Sequence, residues 1–162
     1  MAGKVNHIPE GYHTATPYLV VSDASRALDF YKKAFGATET VRMAGPGGKI
    51  GHAEFRIGDS MLMLSDEMPG TRSPQTLGGS PVSVFLYVPD VDAVFNQAIS
   101  SGAKADMPPQ DMFWGDRFGK LTDPFGHSWA LATHIEDVAP EEMKKRADAF
   151  AAHMAQGAGQ GS

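Results

Sequence analysis

The chain contains no cysteine among its 162 residues, and this absence excludes several kinds of chemistry. Without thiols the protein has no disulfide bonds, no thiolate metal ligands and no cysteine nucleophile. No apolar run approaches the roughly 18 residues that a membrane-spanning helix needs. The N-terminal MAGKVNHIPEGYH lacks the apolar core of a signal peptide, so we expect a cytoplasmic location and no membrane partner.

Basic residues are also few. Lysine and arginine total 14 against 19 aspartates and glutamates, which gives a net charge of −5. No segment gathers basic residues among aromatic ones, as a nucleic-acid surface would, so nucleic acid is not an expected partner. Apolar residues at 42% and charged residues at 20% are typical of a globular protein with a buried core.

The chain does contain a pattern that occurs twice. Residues 17–37 read PYLVVSDASRALDFYKKAFGA, and residues 82–103 read VSVFLYVPDVDAVFNQAISSGA. In each copy an apolar strand precedes an aspartate that can cap a helix, Asp23 or Asp90, and a glycine follows that can end it. The pattern predicts a duplicated module made of a strand, a helix and about three more strands.

The repeat divides the chain into segments. We predict a first module at 13–65, a linker at 66–81, a second module at 82–135, a helix at 138–155 and a flexible tail at 156–162. The linker is rich in proline and glycine, which argues against a helix there. Pro140 and an apolar stripe predict that the C-terminal helix packs on the domain or on a second copy.

Three segments resemble a known family: residues 17–36, residues 84–90 and, above all, MPPQDMFWGDRFGKLTDPFGHSWAL at 107–131. They resemble the vicinal oxygen chelate superfamily, which includes glyoxalase I, bleomycin resistance proteins and extradiol dioxygenases. FWGDRFGKLTDPFG resembles its PhnB-like branch. The resemblance implies an α+β fold in which two βαβββ modules form a curved mixed sheet around a cavity, with the helices on the outer face. It also implies a homodimer.

Alternation along the strands indicates which side chains line that cavity, because successive residues point to opposite faces of a sheet. In the third strand Ala53, Phe55 and Ile57 form an apolar face, and His52, Glu54 and Arg56 form a mixed one. We expect the apolar faces to pack under the helices and the mixed faces to contact a ligand. The ligand contacts predicted in this way are Tyr18, Arg56, Met63, Phe85 and Tyr87.

The metalloenzymes of the superfamily hold a divalent metal through His and Glu side chains on four central strands. The corresponding positions here are Thr16, Met63, Ser83 and Ala130. None of these is a usual ligand for zinc, nickel, iron or manganese, so we expect neither the usual metal site nor a cofactor. An unconventional site that adds His13 or His134 to His52 and Glu54 is an open alternative.

Two clusters are candidates for chemistry. His52 and Glu54 lie two residues apart on one strand face, where they could act as a catalytic acid and base. Alternatively, Glu54 forms an ion pair with Arg56 on a charged strand surface. Trp114, Asp116 and Arg117 could bind a ligand through an aromatic wall, a carboxylate and a fixed cation.

The Trp114 cluster also has a structural interpretation, in which Asp116 and Arg117 pair to hold a loop. The strand alternation does not decide which face Arg117 takes. Asp123 and His127, in DPFGH, are more simply explained by a turn than by catalysis.

Two classes of function remain. The first is a small-molecule-binding protein that sequesters an organic ligand in the manner of bleomycin resistance proteins. The alternative is a glyoxalase-, lyase- or dioxygenase-like enzyme that uses a divalent metal or the His52/Glu54 pair. A small organic molecule is the expected partner in both.

Overall fold

Strands and helices follow the predicted order in the computed structural model, which describes residues 5–158. The first module contains β1 (Tyr18–Val21), α1 (Ala24–Phe35), β2 (Thr38–Ala44), β3 (Ile50–Ile57) and β4 (Ser60–Asp66). A short helix, α2 (Pro74–Leu77), follows. The second module contains β5 (Ser83–Tyr87), α3 (Val91–Ser100), β6 (Lys104–Asp111), β7 (Asp116–Thr122) and β8 (Ser128–His134), and α4 (Pro140–Ala158) ends the described chain.

Each module forms its own four-stranded mixed sheet. The strand order is β1-β4-β3-β2 in the first sheet and β5-β8-β7-β6 in the second. In both sheets the first strand runs parallel to the last, and the other pairs are antiparallel. The prediction of an α+β fold with two βαβββ modules and a C-terminal helix is therefore confirmed.

The two module helices begin as the sequence predicts. Asp23 Oδ1 accepts a hydrogen bond from the Arg26 amide at 3.1 Å, and Asp90 Oδ1 accepts one from the Ala93 amide at 3.0 Å. These bonds satisfy amides of the first turn that have no partner within the helix. Gly36 ends α1 with φ of 66°, a left-handed conformation that favours glycine.

The strand faces are divided as predicted. Ala53 and Phe55 of β3 are fully buried, and Leu62 and Leu64 of β4 lie on the same face. Helix α1 covers this apolar face of the first sheet, and α3 covers the corresponding face of the second. The opposite, mixed faces are not covered by either helix, so the curved sheets are open on that side.

Tyr31 joins the two modules inside the core. Its ring stacks on Phe55 of the first sheet with centroids 5.4 Å apart, and its ring centroid lies 5.2 Å from that of Trp129 in the second. The Tyr31 hydroxyl donates to Asp123 Oδ2 at 2.7 Å, and Trp129 Nε1 donates to the same oxygen at 2.8 Å. The buried Asp123 carboxylate therefore bonds to side chains from both modules.

The Asp123 carboxylate also closes its own turn. Its Oδ1 accepts hydrogen bonds from the backbone amides of Phe125 at 2.8 Å and His127 at 3.0 Å. His127 Nε2 lies 2.9 Å from the Val20 carbonyl oxygen in the first module. The interpretation of DPFGH as a structural turn is confirmed.

The linker prediction was wrong in one respect, because α2 lies within the segment expected to be free of helix. Ser73 caps this single turn and Pro74 occupies its first position, where proline needs no amide hydrogen. Glu67 accepts hydrogen bonds from the Ser73 amide at 2.7 Å and from the Thr76 hydroxyl. These hydrogen bonds, with that from Thr76 the larger cause, lower the pKa of Glu67 to about 2.

The C-terminal helix is longer than predicted. Helix α4 continues to Ala158, so residues 156–158 of the expected flexible tail are helical. The rest of that tail, residues 159–162, lies outside the described residues. In the part of the chain that the structure describes, no helix has both the length and the apolar character needed to cross a bilayer.

We expect Tyr31→Phe to destabilise the protein by about 1–3 kcal/mol, because the substitution removes a hydrogen-bond donor from a buried carboxylate. Urea unfolding followed by circular dichroism measures this change. Tyr18→Phe is the matched control. Tyr18 is about half exposed, so removal of its hydroxyl should lower the free energy of unfolding by less than about 0.5 kcal/mol. Equal unfolding midpoints for Tyr31→Phe and the wild type would contradict a linking role for Asp123.

Candidate functional site

The mixed face of the first sheet contains a chain of four hydrogen-bonded side chains. His52 Nε2 lies 3.1 Å from Glu54 Oε1, and His52 Nδ1 lies 3.1 Å from the Tyr18 hydroxyl. The Tyr12 hydroxyl donates to the other oxygen of Glu54. An imidazole that donates through Nε2 to a carboxylate can accept through Nδ1 from a phenol, so a neutral His52 satisfies both partners.

The carboxylate of Glu54 orients this chain. Hydrogen bonds from Tyr12 and then His52 lower the pKa of Glu54 below its usual range, so Glu54 is ionised at neutral pH. Burial, followed by the hydrogen bond to Glu54, raises the pKa of Tyr12 to about 12. The arrangement resembles the carboxylate–imidazole pair of a general base, in which the carboxylate holds the ring in one tautomer.

The sequence could not indicate Tyr12. It lies in the N-terminal segment before β1, where no periodicity shows the direction of its side chain, and it contacts Glu54, which is 42 positions away in the chain.

Glu54 forms hydrogen bonds with Tyr12 and His52. Within the described part of the chain it forms no ion pair with Arg56, which the alternative interpretation required. Arg56 is exposed on the same mixed face, and Met63 is the register partner of Tyr18.

A buried carboxylate also organises the mixed face of the second sheet. Asp116 is only 3% exposed, and it accepts hydrogen bonds from three side chains. The Tyr87 hydroxyl and Trp114 Nε1 each donate to Oδ2 at 3.0 Å, and His134 Nδ1 lies 2.8 Å from Oδ1. The donors come from β5, from the β6–β7 turn and from the end of β8.

His134 lies between two carboxylates. Its Nδ1 faces Asp116 and its Nε2 lies 2.8 Å from Asp137 Oδ1. Both nitrogens can donate only when the ring is protonated, so the geometry favours the imidazolium. Hydrogen bonds to Asp137 and Asp116 accordingly raise the pKa of His134 above its ordinary value. The hydrogen bond to Asp116 also raises the pKa of Tyr87.

Four aromatic side chains form an aromatic patch on this second mixed face: Phe85, Tyr87, Trp114 and Phe118. The ring centroids of Phe85 and Tyr87 are 5.0 Å apart, and Phe118 lies 5.6 Å from both Phe85 and Trp114. Phe85 is 46% exposed and Tyr87 is 65% exposed. Large exposed aromatic surfaces are unusual on a monomer and mark places where another molecule binds.

Arg117 is not part of this face. Its guanidinium points to the helix side of the second sheet, where Nε lies 2.6 Å from Asp92 of α3 and Nη1 lies 3.0 Å from Asp111. Asp116 and Arg117 therefore do not pair with each other, and the structure separates Arg117 from Trp114 and Asp116. The sequence left this face undecided because its partner Asp92 belongs to another element.

The four positions that correspond, by the resemblance, to the family's metal ligands carry no usual metal ligand. Register places Tyr18 opposite Met63 and Phe85 opposite Ala130 on the mixed faces. Thr16 and Ser83, two residues earlier, add only hydroxyl groups. Among residues 5–158 no group of three or more histidine or acidic side chains is arranged to hold a metal ion. His134 bonds to Asp116 of the second sheet, and His13 lines a cavity together with Thr16 and Phe85.

Comparison with known proteins gives a consistent result. The family model for Glyoxalase, described as the Glyoxalase/Bleomycin resistance protein/Dioxygenase superfamily, matches residues 5–131. An uncharacterized protein of Mycobacterium tuberculosis is 46% identical over 134 residues, covering 80% of this chain and 79% of its own.

Solved structures agree with the family match. The crystal structure of TioX from Micromonospora is 29% identical, covers 75% of this chain and 99% of its own, and has a TM-score of 0.59. A PhnB protein from Bacillus cereus is 22% identical, covers 75% of this chain and 99% of its own, and has a TM-score of 0.56. At this identity the second likeness shows the fold alone.

We expect the imidazole of His134 to titrate above its ordinary value in NMR spectra, and Asp137→Asn to lower its pKa. Because the folded-state pKa is raised, the contribution of His134 to stability is complete below pH 6.5 and is lost as pH rises through the folded pKa. The difference in stability between the wild type and Asp137→Asn should therefore shrink as the pH rises through the folded-state pKa of His134. Asp148→Asn, in an exposed pair with Lys144, should leave the titration unchanged. A His134 pKa at or below its ordinary value would contradict the paired geometry.

Proposed function

Because the chain belongs to the glyoxalase/bleomycin resistance protein/dioxygenase superfamily, we propose that it binds a small organic molecule and sequesters it without converting it. The observation that carries this proposal is the aromatic patch held by Asp116. Phe85 and Tyr87 expose their rings, while Tyr87 and Trp114 each donate a hydrogen bond to the buried Asp116 carboxylate. The rings offer an apolar contact surface, and Tyr87 and Trp114 also carry polar groups.

The support of Asp116 matters for affinity. Side chains that are already ordered lose less conformational entropy when a ligand binds. Tyr87 and Trp114 are each held by one hydrogen bond at 3.0 Å, so their rings are ordered before binding. An exposed but organised aromatic surface supports binding better than the same residues on a mobile loop.

The first mixed face would supply further contacts to the ligand. Tyr18, Arg56 and Met63 present an aromatic ring, a cation and a flexible thioether on one side of the sheet. Arg117 takes no part in the proposed binding, because Asp92 and Asp111 occupy its guanidinium on the opposite face.

We further propose that the protein is a homodimer. Open mixed faces with exposed Tyr18, Phe85 and Tyr87 support an arrangement in which a second copy covers the ligand. Light scattering should then give a mass of about twice the 17.3 kDa of one chain. A mass near that of a single chain at micromolar concentration would contradict the dimer.

We also propose that the chain belongs to the PhnB-like branch and that it is cytoplasmic. The segment FWGDRFGKLTDPFG supports placement in the PhnB-like branch. A cytoplasmic location remains our expectation, and fractionation that recovers the protein outside the cytoplasm would contradict it. Assignment to the branch names a relationship and not a reaction.

A second function is favoured by the His52–Glu54 pair. Glu54 is ionised and oriented by Tyr12, and a hydrogen bond from His52 Nε2 to Glu54 would leave Nδ1, beside the Tyr18 hydroxyl, as the basic nitrogen. A lyase- or isomerase-like enzyme could use this pair for proton transfer without a metal. Conversion of the bound compound by the wild type, lost in both His52→Ala and Glu54→Gln, would support this alternative over sequestration.

We expect an aromatic or peptide-like compound from a thermal-shift panel to raise the melting temperature, because binding to the folded state stabilises it. Phe85→Ala should then weaken binding in calorimetry by about tenfold, or about 1.4 kcal/mol. Leu77→Ala is the control, since Leu77 is exposed and lies outside the aromatic patch, in a cavity of about 260 Å³ beside the linker that Tyr18 also lines. Affinity lost in Leu77→Ala and kept in Phe85→Ala would place the ligand in that cavity and contradict the proposal.

We expect protein purified without a histidine tag to contain much less than one equivalent of zinc, nickel, iron or manganese. The physical reason is that Thr16, Met63, Ser83 and Ala130 supply no imidazole or carboxylate ligand. Elemental analysis by mass spectrometry measures the metal content. A stoichiometric metal that disappears in His52→Ala would overturn the metal-free interpretation and favour the enzyme.

A further inference from the structure

The turn that presents Trp114 is tied to the segment after β8. In this turn, residues 112–115, the Gly115 amide donates to the Met112 carbonyl at 3.1 Å. The Gly115 carbonyl accepts hydrogen bonds from the amides of Ile135 at 2.9 Å and Glu136 at 3.0 Å. Gly115 has φ of 97°, and a Cβ there would lie 2.2 Å from the Glu136 carbonyl oxygen. The close approach requires glycine.

Helix α4 holds the same turn at two points. Arg146 makes two hydrogen bonds to the Glu136 carboxylate, both at 2.8 Å, and its Nη1 lies 3.4 Å from the Phe113 carbonyl oxygen. One helical turn later, the ring of Phe150 contacts the Phe113 ring with centroids 5.2 Å apart. Phe113 in turn contacts Trp114 edge to face, with centroids also 5.2 Å apart.

The rest of α4 takes little part in the core. Between residues 140 and 157, the part of the helix whose burial is described, every side chain is exposed or half-buried. The Lys144–Asp148 pair on this helix faces solvent. The match to the family model ends at residue 131, so Glu136, Arg146 and Phe150 all lie beyond it. A helix that adds no buried side chain yet contacts the Trp114 turn twice suits a role at that turn.

We propose that Arg146 and Phe150 are positioning residues for Trp114, so that α4 sets the geometry of the aromatic patch. Arg146 fixes the turn through Glu136, and Phe150 fixes it through Phe113. An effect of α4 on ligand affinity rests on the proposed function, because the position of Trp114 alters binding only if a ligand binds to the aromatic patch. The positioning itself can be measured without any ligand.

Quenching of tryptophan fluorescence by acrylamide tests the positioning directly. Trp129 is fully buried, so acrylamide in the folded protein reports on Trp114. We expect Arg146→Gln and Phe150→Ala each to raise the quenching constant about twofold, because the released turn opens more often. Arg146→Lys should give an intermediate value, since lysine keeps the charge but not the two-pronged contact. Gly115→Ala, which displaces the turn, calibrates the full effect.

Lys144→Gln is the matched control, because it removes an ion pair on the same helix and should leave quenching unchanged. Urea unfolding midpoints separate positioning from general destabilisation: Arg146→Gln should match Lys144→Gln in midpoint and differ from it in quenching. Unchanged quenching in Arg146→Gln, or an equal rise in Lys144→Gln, would overturn the proposal. If no compound shifts the melting temperature while quenching rises as expected, the proposed function fails and the positioning role stands.

Discussion

The hydrogen bonds of Asp123 are the interaction on which the rest of the structure depends. Its buried carboxylate accepts from Tyr31 of the first module, from Trp129 of the second and from two amides of its own turn. A buried carboxylate without partners would be costly, and here every partner is a protein group. Through this junction α1 of the first module contacts the second sheet on its apolar face, opposite the mixed face.

Asp116 uses the same chemistry for a different purpose. It too is buried and accepts from a tyrosine, a tryptophan and a histidine, but its donors lie on an open face. Where Asp123 holds side chains inside the core, Asp116 holds the side chains that a ligand would meet. A buried carboxylate adds little net stability, and we infer that Asp116 serves here to hold its three partners in one arrangement. This difference in placement supports a binding role for the second face.

The superfamily supplies the fold, and the side chains on the mixed faces decide how it is used. One fold hosts many chemistries, so membership alone names no reaction. In this chain the four strand positions expected to correspond to the metal ligands of related enzymes hold no imidazole or carboxylate. The two faces differ in what remains: the first presents an oriented imidazole beside a carboxylate, and the second presents organised aromatic rings. The proposed sequestration would use mainly the second face, and proton transfer would use the first.

The sequence by itself determined the local features. Asp23 and Asp90 cap their helices, and alternation assigns His52 and Glu54 to the face opposite Phe55. These features were predictable because each depends on neighbours a few positions away or on the two-residue period of a strand. Only the tertiary structure decided that Tyr12 meets Glu54, that Arg117 turns toward Asp92, and that His134 lies between Asp116 and Asp137. The Tyr12 and Arg117 contacts join residues 42 and 25 positions apart, and that between His134 and Asp116 spans 18, so no local pattern records them. They exist because folding brings separate elements together, and a side chain then takes the partner that satisfies its charge or hydrogen bonds.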